Sequence, residues 1–272
     1  MIAHFETHSG FWQDIYEAQD VIGVIHQHRL ALALSWIDAL RLPKETQVLE
    51  IGCGAGLASM SLAERGFLVH ATDVNDAMIR LAQDRVERAG LSARVSVARA
   101  DVNALEHGAG SFGLVMALGV LPWVASPRLA IQEMARVLRP GGYLLATIGN
   151  QMRLPWVLDP LLSPPLAPMR NALKSVLQRI GRPRQPSAEP YTHPLRDGEY
   201  HALLTGAGLD SVRKTTFGFG PFTLLGRKLL SDRLDVSLNA RLEKLAGQRD
   251  GVLRAMGAQH LALALKPCSI VW

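Results

Sequence analysis

Cysteine is almost missing from this 272-residue chain, which has only Cys53 and Cys268. Two thiols make neither a disulfide framework nor a metal cluster. No apolar run reaches the ~18 residues of a membrane-spanning helix. The first ten residues also lack the basic-then-apolar pattern of a secretory signal. A cytoplasmic, reducing setting is expected. Aromatic residues are sparse at 6%, and no interleaved aromatic and basic pattern marks a nucleic-acid binder. Histidines and acids nowhere cluster at metal-ligand spacing; His26 and His28, two apart on a helical stretch, fall on different faces. Charged residues make up 19% of the chain and hydrophobic ones 48%, with a net charge of +5. Those figures describe a well-cored chain rather than a disordered one, long enough for one α/β domain with additions.

The most informative stretch is Gln47-Val48-Leu49-Glu50-Ile51-Gly52-Cys53-Gly54-Ala55-Gly56. Val48 to Ile51 reads as a buried parallel strand, and Leu57 to Arg65 as a helix. Strand, glycine turn and helix together bring backbone N–H groups up to a nucleotide-like ligand. The dinucleotide fingerprint G-x-G-x-x-G/A would put its last small residue at Leu57, so an NAD-dependent oxidoreductase is disfavoured. What stands here instead is Glu50-x-Gly52-x-Gly54-x-Gly56, an acid two residues before the first of three alternating glycines.

Further along, Phe67 to Thr72 reads as a second strand with Asp73 at its end, 21 positions after Gly52. That gap is close to the ~20 residues at which such folds place an acid on ribose hydroxyls. Asn75 or Asp76 supplies the cap of the helix Ala77 to Ala89, so Asp73 is not needed for that. Arg94 to Ala100 reads as the third strand, followed by Asp101-Val102, and Ser111 to Leu118 as the fourth. Ser126-Pro127 opens a helix that ends in Ala-Arg-Val-Leu-Arg-Pro-Gly-Gly, residues 135–142, and Tyr143 to Ile148 is the fifth strand.

These pieces, in this order over residues 46 to 150, resemble the class I S-adenosylmethionine-dependent methyltransferases. The resemblance implies a doubly wound, mostly parallel seven-stranded α/β sheet of Rossmann-like type, with S-adenosyl-L-methionine as cofactor. The parts would be an N-terminal helical cap (1–42), a cofactor-binding core (43–150), a proline-rich basic lid (151–194) and the rest of the sheet (195–272). It places Glu50, Gly52, Cys53, Gly54 and Gly56 at the cofactor, Asp73 on its ribose, Val74 and Met78 beside the adenosine, and Asp101 and Val102 at the adenine. Leu118 and Gly119 join that set. Family helices ahead of the first motif close over the cofactor, which makes Tyr16 and Arg29 candidates, Arg29 for the methionine carboxylate. For the acceptor the candidates are Trp12, Trp123, Asn150, Phe219 and Phe222. Each of these side chains has ordinary packing as its alternative.

Residues 151 to 194 hold nine of the fifteen prolines and six basic residues against two acids. Leu166 to Ile180 has the pattern of a basic amphipathic helix. A lid over the acceptor is the preferred reading and contact with an anionic membrane surface the second; a solvated loop is the third. Leu195 to Thr205 reads as a helix and Leu209 to Phe217 as a strand. The segment Phe217 to Lys228 is aromatic, glycine-rich and then basic: a hairpin packed on the core, the wall of an apolar pocket, or a dip into lipid. Leu234 to Leu245 reads as the final helix, and Gln259 to Leu265 as a last strand, antiparallel at the end of the sheet.

Leu118-Gly119-Val120-Leu121-Pro122-Trp123 lacks the amide or acid that nucleobase-amino methyltransferases carry after the fourth strand. Nucleic acid is therefore not the expected partner. A small, largely apolar acceptor is: a phenol, quinone precursor, polyketide, isoprenoid or lipid-like molecule, methylated on oxygen. N- or C-methylation, or a non-catalytic adenosylmethionine-binding protein at a membrane surface, stay open, as does monomer or homodimer. If a base is used, His193 beside Tyr191 is the candidate.

Overall fold

A computed structural model describes residues 18–169, 171, 194–225, 227–248 and 251–268. Within them, helix α1 (Val21–Leu40) precedes strand β1 (Gln47–Ile51). Then follow α2 (Leu57–Glu64), β2 (Leu68–Asp73), α3 (Asp76–Arg88), β3 (Val95–Arg99) and β4 (Phe112–Ala117). After β4 come α4 (Pro127–Val137), β5 (Leu138–Gly149), the short α5 (Leu154–Leu158), α6 (Asp197–Gly206) and β6 (Asp210–Phe217). A small hairpin of β7 (Thr223–Leu224) and β8 (Arg227–Lys228), helix α7 (Asp232–Gln248) and β9 (Gln259–Leu265) complete it.

The local signals act where their chemistry requires. Asn75 Oδ1 accepts the N–H groups of Ala77 and Met78 at the start of α3, and Ser126 Oγ that of Leu129 at α4. These side chains satisfy donors that have no partner within the helix. Gly23 lies within the first turn of α1 and does not break it. Asp20 caps α1 by accepting Gly23 N–H at 2.8 Å, and a side chain at Gly23 would collide with the carbonyl of Ala18. Close approach, not a break, explains that glycine.

Seven strands form one sheet in the order β3-β2-β1-β4-β5-β9-β6. The first five are parallel, whereas β9 runs antiparallel to both of its neighbours. The last strand thus sits between β5 and β6, not at the end of the sheet. The polarity of the two strands explains this. Residues 260–264 of β9 are buried, as befits a strand covered on both faces. By contrast β6 exposes Asp210, Arg213 and Lys214 and takes the edge.

Each face has its own core. Ile37, Val48, Leu62, Val69, Met116 and Leu263 pack on the side of α1, α2 and α3. Leu49, Val115, Ile131, Met134, Leu144 and Leu204 pack on the side of α4 and α6. The chain winds from β1 out to β3 and returns to β4 beside β1. That reversal opens a crevice beyond the carboxyl ends of β1 and β4, where doubly wound sheets bind ligands.

Candidate active site

The crevice is a cavity of about 460 Å³, within the ~300–1,000 Å³ range of small-molecule sites. At its floor the chain leaves β1 through Gly52, Gly54 and Gly56, with φ of 69°, 51° and 81°. Glycine alone adopts this region without steric cost, yet the three positions differ in what surrounds them. A methyl group at Gly52 would strike Val120 Cγ2, and one at Gly56 would stand 3.1 Å from Ala82 Cβ on α3. At Gly54 it would meet nothing within 4 Å. Gly54 is therefore the position that opens onto the cavity. Gly56 holds the turn against α3 and does not line the cavity.

Two carboxylates flank the turn. Asp73, ending β2, accepts Gly54 N–H on Oδ2 and Asn75 N–H on Oδ1, each at 2.9 Å. A carboxylate has about four acceptor sites, so capacity remains on Asp73 for a ligand. Burial raises the Asp73 pKa, opposed by the backbone N–H groups of Asn75, Gly54 and Val74. Glu50, 4% exposed, accepts the hydroxyl of Ser59 from α2. Burial pushes its pKa up to about 7; the Ser59 hydrogen bond opposes this and the charge of Asp73 adds to it. Burial likewise raises the Cys53 thiol, so it remains a protonated, small residue.

Above the crevice, α1 presents Ile22, Ile25, His26 and Arg29. Arg29 crosses Gly119, where a Cβ would stand 2.5 Å from Nη1, and Gly119 N–H donates to Thr147 Oγ1 at 2.7 Å. His26 Nδ1 lies 2.8 Å from Ile22 O. Since a carbonyl only accepts, Nδ1 carries the hydrogen. Burial, with Arg29 adding, lowers the His26 pKa to about 3, so the ring is neutral with Nε2 its basic atom. The far end of the cavity, past β5 and β9, is walled by Gly149, Arg153, Pro194, Pro221 and Gln259.

The fold brings most of the expected cofactor residues to this cavity. Arg29, Glu50, Gly52, Cys53, Gly54 and Asp73 line the cavity, as do Val74, Met78, Asp101, Val102, Leu118 and Gly119. Of the expected acceptor residues, Trp123 lines it. Asn150 does not: its Nδ2 donates to Ala255 O and Gly257 O at 2.8 Å, and its Oδ1 accepts Met152 N–H at 2.9 Å. With these bonds it builds the turn after β5.

Phe219 and Phe222 belong to a separate buried cluster with Ala246. Their segment is fastened to α7, where Glu243, Asn239 and Asp235 accept the N–H groups of Gly218, Phe219 and Phe222. Trp12, Tyr16 and His193 lie outside the described residues, as does most of the expected amphipathic helix Leu166 to Ile180. Arg153, Pro221 and Gln259 line the cavity without having been singled out from sequence. His26 lines it too, with no motif in the sequence to mark it as a site residue.

The site suits a cationic nucleoside. Glu50 is buried and Asp73 half-buried; burial raises the pKa of both acids, and a ligand with ammonium and sulfonium groups favours their charged forms. Gly54 leaves room for that ligand, and Asp73 faces it from the end of β2.

Comparison with known proteins agrees. The family described as "Methyltransferase domain" matches residues 49–146. The ubiquinone biosynthesis O-methyltransferase of Caulobacter vibrioides is 32% identical over 177 residues, covering 57% of this chain and 70% of that protein.

The chain belongs to the S-adenosylmethionine-dependent methyltransferases.

The enzyme of the same name from Caulobacter sp. strain K31 is 34% identical over 178 residues, covering 65% of this methyltransferase and 64% of that one. For that of Paracidovorax citrulli the match spans half of its length, at 31% identity. Solved structures share the fold. A putative methyltransferase of Haloferax volcanii, in complex with its Trm112 activator, gives a TM-score of 0.64 at 16% identity, covering 98% of this chain and 97% of that one. The magnesium protoporphyrin IX methyltransferase of Synechocystis, solved with bound SAH, gives 0.61 at 17%, covering 97% of each. The methyl donor of this family, S-adenosylmethionine, is the cofactor that the two acids and the open glycine fit.

Proposed function

We propose that this methyltransferase transfers a methyl group to a hydroxyl oxygen of a small, largely apolar aromatic acceptor, of the phenol or quinone-precursor class. One observation carries the reading. The cavity does not end at the glycine turn but continues past β4 to walls of Ile22, Ile25, Pro122, Trp123 and Pro221. Such a surface takes a flat apolar ring. The relatives named for O-methylation in ubiquinone biosynthesis support it.

The cofactor supplies an activated methyl group on a cationic sulfur. The protein's part is to bind, orient and exclude water. Asp73 would hold the ribose, Asp101 and Val102 the adenine, Arg29 the methionine carboxylate, and Glu50 the positive charge. His26 lines the cavity as a neutral, weakly basic ring, and His193, the base expected from the sequence, lies outside the described residues.

Contact with an anionic membrane surface is the second part of this reading. Leu158, Met169, Leu225 and Leu229 are each more than half exposed, and Arg227 and Lys228 of β8 are exposed. Thr223 Oγ1 donates to Asp159 Oδ2 at 2.6 Å, which ties the hairpin to the segment after α5. No helix among the described residues is long and apolar enough to cross a membrane.

The test is transfer of labelled methyl groups to a panel of catechols and phenols, set against RNA and protein extracts, with mass spectrometry locating the label. O-methylated small molecules should dominate. Labelling of RNA or protein in preference overturns the reading. Sedimentation with anionic and neutral vesicles tests the membrane contact, which equal binding to both contradicts.

A further inference from the structure

Arg153 is accounted for neither by the glycine motif nor by the cofactor. It lies just beyond β5 and lines the cavity between Gly149, Pro194 and Gln259. Its placement is built. Nε donates to Asn150 O at 2.9 Å, and the guanidinium carbon lies 3.7 Å from the centroid of the Trp156 ring. Asn150 is itself fixed by three hydrogen bonds to the neighbouring backbone. Gly149 leaves the guanidinium space, since a Cβ there would come within 3.2 Å of Nη2.

What this arrangement lacks among the described residues is an anion. Among the described residues no carboxylate forms an ion pair with Arg153. Burial alone lowers its pKa, to about 10, so the group is still charged at neutral pH. A half-buried cation without a counter-charge is costly. On the same wall Gln259 Oε1 is buried without a hydrogen-bond partner, a second polar group left for something else to meet.

Among the described residues two guanidiniums line the cavity, in different places. Arg29 crosses Gly119 beyond β4, and Arg153 crosses Gly149 at the end of β5. The cofactor brings one carboxylate, so one guanidinium is left over.

We propose that Arg153 receives an anionic group of the acceptor, so that the preferred acceptors are hydroxylated aromatic carboxylates rather than neutral phenols. This rests on the reading of the cavity as a small-aromatic O-methyltransferase site. Arg153 is then a specificity-determining residue: it binds the carboxylate through charge-assisted hydrogen bonds and takes no part in the transfer.

The experiment compares 3,4-dihydroxybenzoate with its methyl ester as acceptors, in the wild type, Arg153→Met and Arg153→Lys. Calorimetry with S-adenosylhomocysteine reports the cofactor half of the site. The wild type should favour the acid by about tenfold or more in kcat/KM, as expected for a charge-assisted pair. Arg153→Met should abolish that preference, Arg153→Lys should keep part of it, and cofactor affinity should change less than about twofold.

Equal use of acid and ester by the wild type overturns the proposal. So does an acid preference that survives Arg153→Met, or loss of cofactor affinity in that variant with the preference intact. If neither catechol is methylated, calorimetric binding of benzoate against methyl benzoate in the presence of S-adenosylhomocysteine decides. Benzoate binding that depends on Arg153 supports the anion site while the catechol reading fails, and absence of that binding overturns the anion site as well. Arg153→Gln, which removes the charge but keeps a polar side chain, stands in if Arg153→Met does not fold, with the same loss of preference expected.

Discussion

Replacing Glu50 by glutamine should uncouple cofactor binding from a proton. The carboxyl is 4% exposed and its pKa rises from 4.5 to about 7, chiefly through burial. Between those two values the folded protein holds the proton and the unfolded chain does not. Without ligand, the group's contribution to stability is therefore full below pH 4.5 and lost as pH rises through 7. A shift of this size corresponds to roughly 3 kcal/mol. Glu50→Gln removes the dependence, because an amide has nothing to ionise and still offers Ser59 an acceptor. A cationic ligand next to Glu50 favours the charged carboxylate, so binding expels the proton. For a pKa near 7 in the free protein, the association constant should rise about tenfold from pH 6 to pH 8. Titration calorimetry with S-adenosylmethionine at pH 6, 7 and 8, in buffers of differing ionisation enthalpy, measures both the affinity and the protons released. The cofactor's own amino group titrates identically with either protein, so the difference between wild type and Glu50→Gln isolates Glu50. Superimposable pH profiles for the two would refute the reasoning.

Gly54→Ala should leave the fold in place, at a cost of about 1–2 kcal/mol for a left-handed alanine, while its methyl group obstructs the cavity and weakens cofactor binding. Gly52→Ala, which collides with Val120, should lower the melting temperature more than Gly54→Ala; scanning calorimetry compares them. Phe219→Ala should destabilise by about 3–5 kcal/mol in urea unfolding, because the ring is fully buried beside α7. Its effect on acceptor KM should stay under about twofold, and a larger change would return Phe219 to the pocket.

Features written in adjacent residues were legible in the sequence. The strand before Gly52, the glycine turn, the caps at Asn75 and Ser126 and the acid at the end of β2 each depend on a few neighbouring side chains. Their observed bounds differ from expectation by a residue or two. Features set by contacts distant in the chain were not legible. The position of β9 between β5 and β6 depends on which strands pair, which an apolar run does not encode. The run also did not say what would cover Phe219 and Phe222. The acceptors at four-residue spacing on α7, Asp235, Asn239 and Glu243, decided that. The acceptor end was the least legible. Gly149 pairs with Gln259 across more than a hundred residues, and Arg153 counted in sequence only as one charge in a basic, proline-rich stretch.

Calorimetric titration of wild type and Asp73→Ala with S-adenosylmethionine tests the central claim most directly. The wild type should bind at one site. Asp73→Ala should lose about 1–3 kcal/mol, or roughly fivefold to more than a hundredfold in affinity, with its melting transition still cooperative. Equal affinities for the two proteins, or no binding by the wild type, would contradict the assignment of the crevice.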